Sequence, residues 1–280
     1  MSGAGAVVVE EPLDVPFVRA WLRAHAVPGV DEVVEAGDGI VHRRVVPTAE
    51  GPTRLTLALP ATGSVRVTAE GPGEAEALAA GRRWLGLDLD PAPAVSALAA
   101  DPVLGPLVRT RPHVRVPGAP DPFEAAVNVV LGQHVSLAAG RVFAGRLAAS
   151  TPVRAEALAG ADPEALREAV GVTSARARTL VALAVGVRDG LDLSPAADPL
   201  DRARRRAALL ALPGVGPWTA DLVATRCLRD PDVFLPGDLV LRRALGGVSA
   251  REAAEAAQAW RPFRSLAVVH LWTAHALDPR

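Results

Sequence analysis

An α+β unit over residues 1–90, followed by an all-α unit over residues 91–280, is the architecture the sequence predicts. Three observations carry it. Alternating, β-branched segments separated by Gly/Pro turns occur only in the first quarter of the chain. Beyond Pro91 apolar residues recur at helical spacing. Asp followed by Pro and Glu, the signature of a helix start, then recurs at Asp121 and Asp162. The length gives the same division at roughly 100–200 residues per domain, and a chain that is 50% hydrophobic can bury a sizeable core.

Residues 16–27 form the first predicted helix, with Phe17, Trp21 and Leu22 apolar. Strands follow at residues 39–41, 54–59 and 64–68; the last alternates polar and apolar, as a half-buried strand does. Gly51-Pro52 and Ala61-Thr62-Gly63 supply turns between them. Residues 74–85 read as a helix and close a small antiparallel sheet with helices. The helical unit opens with a short helix at 95–100 and a Pro/Gly-rich connector at 111–120. Asp121-Pro122-Phe123-Glu124 then combines an N-cap, a first-turn Pro and a capping-box Glu. That helix ends at Gly132. Further helices are expected at 136–149, after Asp162-Pro163-Glu164, and at 174–188, 201–212, 217–228, 238–245, 249–260 and 265–277. No fixed-period repeat is present, which excludes a solenoid.

Composition removes whole classes of chemistry. All 30 basic residues are Arg, so a Lys Schiff base and a P-loop Lys are excluded, and without Tyr there is no phenolic acid or base. A single Cys, Cys227, excludes an intrachain disulfide and a four-Cys zinc or iron–sulfur site. No apolar run reaches the ~18 residues of a membrane span, and the N-terminus lacks the basic stretch of a secretory leader. A cytoplasmic protein is expected. The net charge of −1 is unevenly spread: residues 1–100 hold 8 Arg against 13 acidic residues, and residues 201–280 hold 12 against 8. A basic C-terminal third is compatible with a phosphate-binding face and equally with an ordinary solvated surface.

The most informative segment is Leu212-Pro213-Gly214-Val215-Gly216-Pro217-Trp218-Thr219-Ala220. Two helices joined by Pro-Gly-Val-Gly require a sharp hairpin in which Gly can take positive φ. Little side-chain bulk there lets the amides of the turn and the next helix's N-terminus approach an anion such as a nucleic-acid phosphate. A plain αα-hairpin has the same Gly turn, but the small Ala220 for close helix packing favours the phosphate reading. Downstream, Leu235-Pro236-Gly237-Asp238 places Asp238 at a helix N-cap, 22 residues beyond Gly216. An isolated Asp there is ordinarily only a cap.

Hairpin and Asp loop, in this order, resemble the helix–hairpin–helix DNA glycosylases. Residues 123–136, with Gly132-Gln133-His134-Val135-Ser136, resemble the helix and wedge loop of the bacterial 3-methyladenine DNA glycosylase II (AlkA-type) family. Trp260-Arg261-Pro262-Phe263-Arg264-Ser265, His270-Leu271-Trp272 and residues 24–33 are similar to further blocks of it. The resemblance implies an enzyme that flips alkylated purines such as 3-methyladenine and 7-methylguanine out of duplex DNA and hydrolyses their N-glycosidic bond in base excision repair. It makes Asp238 the catalytic carboxylate, and Trp218, Trp272 and Trp21 aromatic walls of the base pocket. His134 and Gln133 become the wedge, and Gly214, Val215, Gly216 and Thr219 hold a DNA phosphate. Leu222 and Leu239 stand where the family commonly places aromatic residues, and His134 where it often has Leu or Gln.

It further implies double-stranded DNA as the partner, monomeric action, no metal and no cofactor. A monovalent cation at the hairpin is left open, and the chemistry does not require one. With no Lys, the strand-cleaving, bifunctional route of the superfamily is excluded, leaving a monofunctional hydrolase. A non-catalytic helix–hairpin–helix DNA-binding protein is the competing reading; Asp238 and the Trp218/Trp272 pair speak against it. A fused alkylation-response protein is a further one, of which the Cys-poor chain would be only the glycosylase part.

Overall fold

The computed structural model describes residues 5–277, with side chains through His275. Strands β1 (Gly5–Val8), β2 (Glu32–Ala36), β3 (Gly39–Val46), β4 (Thr53–Leu59) and β5 (Arg66–Glu70) form one antiparallel sheet in the order β1-β5-β4-β3-β2. Strict alternation drives the central strand: Leu55, Leu57 and Leu59 are fully buried, while Arg54 faces the other way. Helices α1 (Val15–His25) and α2 (Glu74–Trp84) cover the buried face. The approach of α2 is close enough that a Cβ on Gly81 would lie 2.7 Å from Val67 and 2.9 Å from Leu55.

Two of these strands, β1 and β2, are not among the expected ones. β2 pairs with β3 through a two-residue turn, Gly37-Asp38, in which Gly37 has φ +62°. Most of β2 is exposed, so it lacks the apolar alternation that marks the inner strands.

The rest is helical. A short pair, α3 (Ala92–Leu98) and α4 (Leu104–Thr110), precedes α5 (Pro122–Leu131), α6 (Leu137–Ser150), α7 (Ala155–Ala159), α8 (Pro163–Val170), α9 (Ser174–Arg188) and α10 (Pro199–Leu210). Then come α11 (Pro217–Val223), α12 (Leu239–Ala244), α13 (Ala250–Ala256) and α14 (Arg264–Leu277). Asp121 and Asp162 cap α5 and α8, as expected; Ser136 and Ser249, expected as the first residues of their helices, are the caps of α6 and α13. Helices α4 and α7, of seven and five residues, are too short to show a period and were not anticipated. The expected helix at 217–228 is regular only to Val223, and its last turn widens to π geometry at Ala224–Leu228.

Three buried clusters organise the molecule. One lies under the sheet and reaches Val269 on α14; one fills α5–α11; one joins α3 and α4 to α12–α14. Arg44 on β3 locks sheet to helices: it pairs with Glu124 on α5 and lies 3.3 Å from Asp31. Arg229 makes a bidentate pair with Asp88, both bonds 2.8 Å. Trp218 and Trp272 sit at the seams, each packing against two clusters. No single helix among the described residues is long and apolar enough to cross a membrane.

Candidate active site

The hairpin between α10 and α11 is set by a single glycine. Gly214 has φ +80°, and a Cβ on it would lie 1.9 Å from the Thr179 hydroxyl on α9, so any other residue is strained and must push the Thr179 side chain aside. Gly216 differs from the expectation that both glycines shape the turn. Its φ of −92° and ψ of 176° are ordinary extended backbone, and the space around its α-carbon is open. Arg206 on α10 clamps Asp221 on α11 at 2.5 Å, and Ala220 is fully buried where the two helices meet. The amides of Gly214, Gly216, Trp218 and Thr219 donate to no backbone carbonyl among the described residues. They lie at the positive end of the helix that starts at Pro217.

Asp238 faces this hairpin. The loop that carries it is fastened to the start of α14. Arg264 makes a bidentate pair with Asp232 at 2.6 and 3.1 Å, and the Ser265 hydroxyl donates to Asp230 O at 2.7 Å while accepting from the Val233 amide at 3.1 Å. Phe234 packs edge-on against Trp260 at 5.7 Å, and the Trp260 indole donates to Asp101 at 2.9 Å. The loop ends with Asp238 as the N-cap of α12. Its Oδ1 accepts from the Val240 and Leu241 amides at 2.9 and 3.0 Å and from Trp272 Nε1 at 3.4 Å. Oδ2 accepts from no group among the described residues. Cap and candidate catalyst are therefore different oxygens of one carboxylate.

Asp238, the hairpin and the loop at 132–135 enclose a cleft of about 800 Å³. Trp218 and Leu239 line it as well, and Leu239 is 60% exposed. Opposite the hairpin, His134 is exposed on a left-handed backbone, φ +54°, which turns it out of the loop. Gln133 does not project with it. Its side-chain amide donates to Gly214 O at 3.2 Å and to Thr219 Oγ1 at 2.8 Å, and its backbone carbonyl accepts from Arg176. Gln133 thus fastens the 132–135 loop to the hairpin, and the buried Thr219 side chain is held by Gln133, which leaves its amide, not its hydroxyl, for an anion.

Behind the rim, Trp218, Leu222 and Arg226 follow one another at four-residue spacing down the second hairpin helix. Leu222 and Trp272 are partly buried between clusters and, like Trp21, do not border the 800 Å³ cleft itself. Trp21 stacks on His25 with ring centres 3.8 Å apart, and the Arg226 guanidinium lies 5.1 Å over the Trp21 ring. Burial, with the charge of Arg226 second, pushes His25 down to about 3, so its ring is neutral. Burial likewise pushes the Cys227 thiol up to about 12; it donates to Pro122 O at 3.3 Å and is no nucleophile. No cluster of three or more metal-ligating side chains is present among the described residues. The sequence reading missed Arg226, His25 and Thr179; the first two carry no motif, and only the glycine in the hairpin hints at the third.

The same architecture recurs in solved DNA glycosylases. The 3-methyladenine DNA-glycosylase from Archaeoglobus fulgidus matches with a TM-score of 0.78 over 98% of this chain and 99% of that one, at 20% identity. The Clostridium acetobutylicum 8-oxoguanine glycosylase/lyase, solved with double-stranded DNA, matches with a TM-score of 0.64 over 90% and 99%, at 14% identity. The fold is therefore that of the helix–hairpin–helix glycosylase class. Residues 6–121 match the family described as AlkA N-terminal domain. That match runs past residue 90 and takes in α3 and α4, which pack with the helical unit. The chain is 31% identical over 293 residues to DNA-3-methyladenine glycosylase 2 of Escherichia coli K12, covering 96% of this chain and 97% of that protein, and it belongs to this AlkA family. It is also 40% identical over 295 residues to the "Probable bifunctional transcriptional activator/DNA repair enzyme AlkA" of Mycobacterium tuberculosis H37Rv. That alignment takes 97% of this chain but 58% of the relative, so the chain spans little more than half of it.

Proposed function

We propose that the chain is a monofunctional DNA glycosylase that extrudes alkylated purines, 3-methyladenine and 7-methylguanine among them, from duplex DNA and hydrolyses the N-glycosidic bond. The observation that carries this reading is the unclaimed Oδ2 of Asp238, held on the same cleft as the free hairpin amides. The amides of Gly214, Val215, Gly216 and Thr219 would grip a backbone phosphate at the hairpin; only that of Val215, which donates to Leu212 O at 3.1 Å, is already engaged. His134 would fill the gap left by the flipped nucleotide, offsetting the few kcal/mol of lost stacking and pairing.

Scission of the C1′–N bond builds positive charge on the sugar, and a carboxylate oxygen aimed there stabilises it and orients water. The Trp272 indole and two amides fix Oδ1, so Oδ2 needs no reorganisation as the charge develops. Alkylated purines already carry positive charge and leave without a general acid. Stacking on Trp218, which lines the cleft, favours that cation by roughly 0.5–2 kcal/mol.

Asp238→Asn is the decisive variant, because Asn keeps the cap and removes the charge. Release of 3-methyladenine and 7-methylguanine from methylated DNA should fall on the order of 10²–10³-fold with the melting temperature nearly unchanged. Equal release by variant and wild type refutes the assigned role. DNA binding without release by the wild type establishes a non-catalytic binding protein instead.

A further inference from the structure

The densest run of arginines in the chain is not where its free positive charge lies. On α10, Arg202, Arg204, Arg205 and Arg206 have as carboxylate partners, in turn, Asp230, Asp201, Asp192 and Asp221. The fold neutralises them. Two helices beside the cleft differ: neither α9 nor α12 contains an acidic residue. Arg178 on α9 and Arg243 on α12 are exposed, and neither side chain has an ion-pair or hydrogen-bond partner among the described residues. Arg178 precedes Thr179, the residue against which Gly214 packs, so it stands on the flank of the hairpin. Two residues before it, Arg176 donates to the Gln133 backbone carbonyl and ties the same end of α9 to the loop carrying His134. Arg243 lies one turn beyond Leu239 on the same side of α12, and Leu239 lines the cleft and is 60% exposed. Asp238, at the head of α12, accepts from the Val240 and Leu241 amides and from Trp272, and makes no pair with Arg243. One unpaired guanidinium therefore stands on the hairpin side of the cleft and one on the Asp238 side.

We propose that Arg178 and Arg243 are phosphate contacts that hold duplex DNA across the cleft at points beyond the hairpin amides. This deepens the glycosylase reading and rests on it. What the two arginines meet is the polyanionic backbone and not a base. A guanidinium offers phosphate oxygens two parallel N–H donors, releases condensed counterions and carries no sequence information. The hairpin amides are neutral, so they position a phosphate without supplying the charge that draws the strand in. The chain as a whole carries a net charge of −1, so attraction to DNA has to come from local placement of cations. Helices free of carboxylates leave these two available for it. Contacts on both sides of the cleft fix the path of the duplex, so that the extruded nucleotide is delivered to Asp238.

The test follows binding of two undamaged duplexes of different sequence by fluorescence anisotropy, from about 50 to 200 mM salt. Arg178→Ala and Arg243→Ala should each lower the slope of log affinity against log salt by about 0.9, equally on both sequences, and the double variant by about twice that. Arg178→Lys and Arg243→Lys keep the charge and should hold the wild-type slope. Arg204→Ala, at an exposed arginine already paired with Asp201, should hold it too. Surface substitutions of this kind leave the fold intact. Unchanged slopes in the Ala variants, a loss confined to one sequence, or equal flattening by Arg204→Ala overturns the proposal; base release by the wild type then leaves the glycosylase reading standing. Flattened slopes in a protein whose wild type releases no base from methylated DNA uphold the two contacts and refute that reading.

Discussion

The rim of the cleft and its interior are built on opposite terms. At the rim, side chains are spent on one another: Gln133 reaches the hairpin, Arg176 holds Gln133, and Asp238 Oδ1 is fixed by three donors. In the interior, Arg226 Nε and Trp21 Nε1 are left without acceptors, and His25 is held neutral. On the reading proposed above, the rim meets the DNA backbone, which is the same whatever base is damaged, so it can be preorganised completely. The interior, by contrast, keeps its unmatched side-chain donors sealed from water, away from the cleft.

The largest test of that contrast falls on the rim. Gly214→Ala introduces a positive-φ side chain, costing about 1 kcal/mol, and drives its Cβ to 1.9 Å from Thr179 Oγ1. Fluorescence anisotropy should show affinity for duplex DNA lowered by roughly tenfold to a hundredfold, since misaligned amides lose charge-assisted hydrogen bonds. Adding Thr179→Ala should recover part of the loss, because the clash goes and the φ penalty stays. Undiminished affinity in Gly214→Ala would show that the hairpin is not what grips the strand.

Next in size is the tie between wedge and hairpin. Gln133→Leu removes two hydrogen bonds, each worth about 1 kcal/mol, yet leaves His134 and every hairpin amide in place. Base release should slow by roughly tenfold, with the melting temperature shifted by only a few degrees. If His134→Ala slows release and Gln133→Leu does not, the wedge works without being coupled to the phosphate grip.

Two buried histidines answer to pH, His25 behind the cleft and His270 on α14. His25 and His270 are held neutral mainly by burial, at about 3 and about 4, against about 6.5 in the unfolded chain. The unfolded state therefore binds more protons between those values. The stability tied to both rings is complete above pH 6.5 and is lost as pH falls toward their folded values. Thermal unfolding should show a loss of about 2 kcal/mol per histidine between pH 6.5 and 5. His270→Gln should flatten that slope; an identical slope would mean the ring is already accessible to protons.

Legibility in the sequence followed the same divide. The N-caps at Asp121, Asp162 and Asp238 could be read in advance because capping depends on three or four neighbouring residues. The inner strands could be read from alternation, whereas β2, exposed on most of its length, shows none. Its Gly37-Asp38 turn was the available signal. Gly216 was over-read: only Gly214 has positive φ, and the reason lies 35 residues away at Thr179. Arg226 was invisible because an arginine becomes informative only when the surrounding fold shows that nothing pairs with it. Local chemistry is written locally; an unmet donor is defined by everything else.

The smallest effect belongs to Cys227, which lies next to Arg226 in sequence. Its thiol is satisfied by Pro122 O and pushed up to about 12 by burial, so almost no thiolate exists at neutral pH. A maleimide reagent should leave the native protein unmodified and label it only after denaturation. Cys227→Ala should cost about 1 kcal/mol of stability, the scale of one small buried group, and change base release less than roughly twofold. A larger loss of release, at unchanged stability, would mean that the π turn at Ala224–Leu228 transmits packing changes to Arg226. Rim and interior would then be coupled through the helix they share.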